Sequence, residues 1–176
     1  MLIRARAPLR LGLAGGGTDV TPFSDIYGGA VLNATIDSYA YCTIEPSSDG
    51  KVRFIAADAG NAVAYDVEAH LPCEGFFALH SGVYNRIVAQ YNGGKPLAVT
   101  VTTSCDAPPG SGLGSSSTLV VAMVQAFSEM LSLPLGEYDT ASLAYQIERC
   151  DRHARRAPGS VRGSFRRFQL YGVQRE

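Results

Sequence analysis

Asp106-Ala-Pro-Pro-Gly-Ser-Gly-Leu-Gly-Ser-Ser-Ser-Thr118 is the stretch of this sequence best suited to chemistry. It follows a β-like run, Leu97 to Thr103, and precedes an apolar run, Leu119 to Leu133, with no Gly or Pro until Pro134. That order predicts a strand, a glycine-rich turn and a helix opening in serines. Gly110, Gly112 and Gly114 let the backbone take positive φ and come close to a ligand. Ser115, Ser116 and Ser117 fall in the first helical turn, where free N–H groups and the helix dipole favour an anion, usually a polyphosphate. No Lys follows the last glycine, so this is not a Walker A loop, and the glycine spacing fails the dinucleotide fingerprint. A tight turn with a serine N-cap explains one glycine. The whole block from Pro108 to Ser117 favours phosphate binding.

The elements that must position this loop follow from pattern. Leu2 to Ala7 alternates apolar and basic residues like an edge strand, Pro8 interrupts it, and Arg10 to Ala14 is a second extended piece. Gly15-Gly-Gly17 breaks regular structure before a short helix, Phe23 to Tyr27, ended by Gly28-Gly29. Ala30 to Ile44 predicts two strands or one bent strand. Ser47 to Gly50 predicts a hairpin turn with Lys51 to Ala56 pairing back, and Asn61 to Val67 is a further strand. Phe77 to Tyr91 has helical spacing and ends at Asn92-Gly-Gly94; its Tyr and Phe stripe is core. After the serine-led helix, Asp139 is a plausible N-cap for a helix through Arg149. Strands and helices in this order predict an α+β or mixed α/β domain.

Composition bounds the function. The 176 residues, 46% hydrophobic and 18% charged, suit one folded domain of ordinary size. No run reaches the length of a membrane span, and the N-terminus is too charged for a secretory signal. Cys42, Cys73, Cys105 and Cys150 form no CxxC pair and no ligand pattern with His70, His80 or His153, so reduced thiols of a cytoplasmic protein are expected and a zinc site is not. Residues 1–150 hold 8 basic and 14 acidic side chains, whereas residues 151–176 hold 7 arginines and 2 acids. An Arg-rich tail admits a nucleic-acid arm, but no nucleic-acid motif sits in the body, and neither nucleic acid nor membrane is the expected partner.

The loop resembles the second motif of the GHMP kinases, the galactokinase, homoserine kinase, mevalonate kinase and phosphomevalonate kinase superfamily. Ala7-Pro-Leu-Arg-Leu-Gly-Leu-Ala-Gly-Gly-Gly-Thr-Asp19, with Tyr27-Gly-Gly-Ala-Val-Leu-Asn-Ala-Thr-Ile-Asp37, is similar to its first motif. The form is most similar to the branch that phosphorylates D-glycero-D-manno-heptose 7-phosphate at the anomeric carbon, and the resemblance covers residues 2 to about 151. It implies an N-terminal domain of the ribosomal protein S5 domain 2-like fold, with the family's C-terminal domain missing. It implies ATP and Mg²⁺ as cofactors and a sugar phosphate as acceptor. Pro109, Gly110, Ser111, Gly112, Leu113, Gly114, Ser115, Ser116 and Ser117 would hold ATP. Ser116 and Glu148 would hold the metal, Arg10 would act on the transferred phosphoryl, and Gly16, Gly17, Thr18 and Asp19 would bind the sugar.

The resemblance stops where the charge reverses. The family's catalytic aspartate lies in a GGxQDQY-like stretch after the Glu-bearing helix, and residues 151–176 contain no such string. A domain over 1–151 and a disordered tail over 152–176, the product of a frameshift, are therefore expected. The chain is then an inactive fragment of an ATP-dependent sugar kinase, or a non-catalytic nucleotide- or sugar-phosphate-binding remnant or regulator.

Overall fold

The computed structural model describes residues 2–18, 22–154 and 174–175. Asp19 and most of the tail, 155–173, lie outside the described residues. One mixed sheet runs in the order β4-β3-β5-β2-β1-β6. Its strands are β1 (Ile3–Ala14), β2 (Leu32–Pro46), β3 (Lys51–Ala56), β4 (Asn61–Asp66), β5 (Val99–Cys105) and β6 (Gln174–Arg175). The helices are α1 (Phe23–Tyr27), α2 (Ala78–Tyr91), α3 (Ser115–Met130) and α4 (Glu137–Ala154). Helix α4 thus continues past 151, and β6 pairs with Ala5 and Arg6 of β1.

Alternation builds the core. Ala40, Cys42 and Ile44 of β2, Val52 and Phe54 of β3, and Val99 and Val101 of β5 are buried, while the residues between them are not. Period-2 burial on one face of a strand is what a half-covered sheet requires. Helix α3 covers β1 and β2 and packs against α2 and α4. Val120, Met123, Val124 and Phe127 of α3 meet Tyr84, Ile87 and Val88 of α2 in a single cluster. The Tyr84 hydroxyl accepts from the Leu97 N–H at 2.9 Å and has the Glu68 carbonyl 3.0 Å away as an acceptor for its one proton, which satisfies its polar end inside the core.

Three sequence expectations change. Pro8 does not break β1: one strand runs through it, with an irregular register against β2 between Pro8 and Arg10. Proline is tolerated at such an irregularity, where the ladder is already interrupted. The turn at 47–50 does not make a hairpin, because β5 lies between β2 and β3, antiparallel to one and parallel to the other. Strand β5, buried at Val99, Val101 and Thr103, takes the place beside β2, and the turn only carries the chain across it. Helix α4 starts at Glu137, two residues before Asp139, whose carboxylate accepts from the Gly136 N–H at 3.1 Å. Asp139 therefore caps from inside the first turn, as the acidic member of a capping box does.

His80 of α2 is a buried base that the core must keep neutral. It is 4% exposed and packs against the rings of Phe54 and Phe77, at 5.5 and 5.0 Å. The Thr103 hydroxyl donates to the Ile55 carbonyl at 3.3 Å, so His80 Nε2, 2.9 Å from that hydroxyl, is the donor. Its buried Nδ1 has no hydrogen-bond partner. Burial lowers its pKa to about 4, against a smaller opposing pull from Asp58. Protonation then favours the unfolded chain, so stability is fully present above pH 6.5 and is lost as pH falls toward 4. From pH 7 to pH 5 the loss is about 2 kcal/mol. Urea midpoints at both pH values check this: His80→Gln should flatten the difference, and an unchanged slope contradicts it.

Candidate nucleotide and phosphoryl site

The glycine-rich loop leaves β5 from a fixed base. The Asp106 N–H donates to the Tyr39 carbonyl at 3.0 Å, and the Tyr39 N–H donates to the Asp106 carboxylate at 2.8 Å. The Tyr41 phenol also faces that carboxylate at 3.4 Å, and burial followed by the charge of Asp106 raises its pKa. On the other flank, the Cys105 N–H donates to Asp58 at 3.2 Å. The strand end is thus clamped to β2 on one side and to the β3–β4 turn on the other.

Beyond the clamp the backbone is left-handed at alternate positions, with φ of 82°, 77° and 76° at Gly110, Gly112 and Gly114. Gly114, not a serine, is the N-cap of α3, and no side chain caps the helix. Ser115, Ser116 and Ser117 are its first three helical residues, and the first i→i−4 bond runs from the Thr118 N–H to the Gly114 carbonyl at 3.0 Å. The serine N-cap reading therefore does not hold. The three preceding N–H groups lie at the positive end of a 16-residue helix, a ready anion site.

Arg10 is brought to this loop from the irregular part of β1. Its N–H donates to the Leu113 carbonyl at 3.2 Å, and its guanidinium donates to Asn33 Oδ1 at 3.3 Å. A Cβ placed on Gly114 would lie 3.1 Å from Arg10 Nε. The absence of a side chain at 114 is what lets the arginine lie against the helix start. Sequence pattern alone gives Asn33 no role, although it sits in the first-motif stretch. In the sequence Asp106 marks only the start of the loop, and its role as the clamp depends on β2 being adjacent.

Gly16, Gly17 and Thr18 stand elsewhere, at the tip of the β1–β2 arm. Arg10 and Ala14 are four residues apart on one strand, about 13 Å. The Thr18 hydroxyl donates to the Gly15 carbonyl at 2.8 Å and accepts from the Ala30 N–H at 3.1 Å, which stitches the turn to the entry of β2. Gly15 has φ of 78°, and a Cβ there would meet the Ala30 carbonyl oxygen at 1.9 Å. Gly15→Ala should therefore cost about 1–3 kcal/mol from strain alone. Chemical denaturation checks this, and a stability equal to the parent contradicts the tight turn.

Ser116 is exposed at the start of α3, and Glu148 is 6% exposed on α4, which packs on α3. Among the described residues no group of three or more His, Cys, Asp or Glu is placed to hold a metal. A hydroxyl and a carboxylate are hard oxygen donors, and Mg²⁺ takes one or two of these and fills its shell with phosphate oxygens and water. That donor set fits the ion.

Comparison with known proteins gives the family. The family described as the GHMP kinases N terminal domain matches residues 78–162. A D-glycero-alpha-D-manno-heptose 7-phosphate kinase of Campylobacter jejuni is 50% identical over 149 residues, covering 85% of this chain and 44% of its own length. The crystal structure of a D-glycero-D-manno-heptose 1-phosphate kinase from Bacteroides thetaiotaomicron superposes with TM-score 0.80 at 54% identity, covering 86% of this chain and 49% of that one. A Methanococcus jannaschii mevalonate kinase, at 18% identity and TM-score 0.74, shares the fold and covers 88% of this chain and 47% of its own. The chain spans about half the length of the relatives it matches, and what it carries is a GHMP kinase N-terminal domain.

Proposed function

We propose that the chain supplies the nucleotide-binding half of an ATP-dependent sugar-phosphate kinase whose acceptor is the anomeric hydroxyl of D-glycero-D-manno-heptose 7-phosphate. One observation carries this reading: Arg10 lies against Gly114 at the uncapped start of α3. Phosphoryl transfer needs positioning and charge neutralisation more than covalent chemistry. The loop from Pro109 to Gly114 and the N–H groups of Ser115, Ser116 and Ser117 cradle the ATP phosphates. Arg10, held by Asn33, faces the charge of the transferred phosphoryl with a fixed cation and forked donors. Gly16, Gly17, Thr18 and Asp19 offer backbone and carboxylate acceptors to sugar hydroxyls. Ser116 and Glu148 would hold Mg²⁺, which when bound neutralises phosphate charge.

The names of the two heptose kinases support the acceptor. One is named for a 7-phosphate and the other for a 1-phosphate. A heptose carrying phosphate at carbon 7 and receiving a second at carbon 1 satisfies both. Thermal unfolding with added ligand tests the proposal. ATP and heptose 7-phosphate should each raise Tm, by the equivalent of about 2.7 kcal/mol at a hundredfold excess over Kd. Protection by mevalonate instead of the heptose phosphate, or by none of the three, contradicts it.

A further inference from the structure

Arg10 is tied to the phosphate loop at its backbone and along its stem. Its N–H donates to the Leu113 carbonyl at 3.2 Å, and a Cβ on Gly114 would lie 3.1 Å from its Nε and 3.4 Å from its Cγ. Neither contact fixes the far end of the side chain. Arginine carries more rotamer freedom than most residues, and a ligand that must freeze it binds more weakly.

The pairing of β1 with β2 places Asn33 to do the fixing. Pro8 pairs with Tyr39 and Arg10 with Thr35, so β2 spends four residues on a step that takes β1 two. Beyond this break Leu11 faces Ala34 and Gly12 faces Asn33. Residues two apart on a strand share a face, so Asn33, the partner of Gly12, is the diagonal neighbour of Arg10. Diagonal neighbours meet when one side chain is long. The guanidinium Nη1 donates to Asn33 Oδ1 at 3.3 Å. Without the break Gly12 would face Thr35, and Asn33 would stand opposite Ala14, about 13 Å along the strand from Arg10. The irregularity after Pro8 therefore makes this pair. Gly12 keeps its own side of the pair open, since a Cβ there would already stand 3.6 Å from Asn33 Oδ1.

Residue type matters as much as place. A carboxamide oxygen accepts a guanidinium N–H and carries no charge, so the cation stays available to phosphate. A carboxylate in the same place would take a forked pair of N–H groups and compete with phosphate for the charge. The ion pairs among the described residues are Lys51 with Asp66 and Arg53 with Asp49, so no carboxylate there engages Arg10. We propose that Asn33 is a positioning residue of the phosphoryl site, a neutral acceptor that orders the end of Arg10 beside Gly114 before ATP arrives. The inference deepens the proposed half-site and rests on it for the role of Arg10.

Titration calorimetry with ATP compares the parent with Asn33→Ala, Asn33→Asp, Arg10→Ala and the double variant Asn33→Ala, Arg10→Ala, with circular dichroism as the folding control. Asn33→Ala should weaken ATP about three- to tenfold, the range for ordering one long side chain. Asn33→Asp, though closer in shape, should weaken it more. In the Arg10→Ala background Asn33→Ala should change nothing further, because it acts through the arginine. The Nε–H resonance of Arg10 is a second readout that needs no ligand. It should stand apart from free arginine in the parent and move to that position in Asn33→Ala. Parental affinity in Asn33→Ala, tighter binding by Asn33→Asp than by Asn33→Ala, an equal loss with and without Arg10, or an Arg10 resonance that ignores Asn33→Ala each overturns the inference. If Arg10→Ala binds ATP as tightly as the parent, the role of Arg10 in the proposed function fails. If Arg10→Ala weakens ATP and Asn33→Ala does not, the positioning role alone fails.

Discussion

Gly112→Val lowers the affinity of this chain for ATP by about ten- to a hundredfold. Two causes act together. A φ of 77° at Gly112 is a conformation that a β-branched residue adopts only at a cost of about 1–3 kcal/mol. Relaxing that strain moves the loop away from the start of α3, where the phosphates are expected. A Cβ at Gly112 meets no protein atom within 4 Å, so the effect falls on backbone conformation and ligand approach, not on packing. Gly114→Ala adds a contact with Arg10 and should be at least as severe. Titration calorimetry of parent and variants, with matched urea midpoints as a folding control, checks the expectation. Equal ATP affinity for parent and Gly112→Val contradicts the cradle.

The second large effect concerns turnover. The 176-residue chain should transfer phosphate to heptose 7-phosphate at a rate lower by about 10²–10⁴-fold or more than its heptose kinase relatives, the usual contribution of a general base. The resemblance puts that base in a stretch that residues 151–176 do not contain. We propose that the tail is read out of frame. Codons for Pro158 to Glu176, read from the second base, permit QDQYAAAFGGFNYMEF, which restores the expected aspartate. Phe168 then leaves only Phe or Ser and Tyr171 only Met or Thr, so the match is constrained at both. Phosphorus NMR of pure chain with ATP, Mg²⁺ and the heptose phosphate measures the rate. Robust transfer contradicts the missing base. Sequencing the gene around codon 151 tests the cause, and an early stop in the shifted frame removes it.

What was legible in the sequence was mostly local chemistry. Gly110, Gly112 and Gly114 followed by serines encode backbone conformation directly, and the helix start appears where they place it. The alternation of Tyr39 to Ile44 and the spacing of Phe77 to Tyr91 located a strand and a buried helix for the same reason. Juxtaposition was less legible. A four-residue turn at 47–50 does not reveal that β5 will separate the strands it joins, because strand order depends on pairings distant in sequence. The approach of Arg10 to Gly114, and the clamp of Asp106 on Tyr39, arise only once β1, β2 and β5 are neighbours. Asp139 is legible as a capping residue but its position is not, since the same carboxylate can cap from either side of the first turn.

An amide NMR titration with ATP tests the central claim most directly, because the proposed contacts are backbone N–H groups. The amide resonances of Gly112, Gly114, Ser115, Ser116 and Ser117 should shift first and furthest, with the Arg10 side chain following. If ATP leaves these resonances in place, or moves chiefly those of β4 and α2, the start of α3 is not the phosphate site.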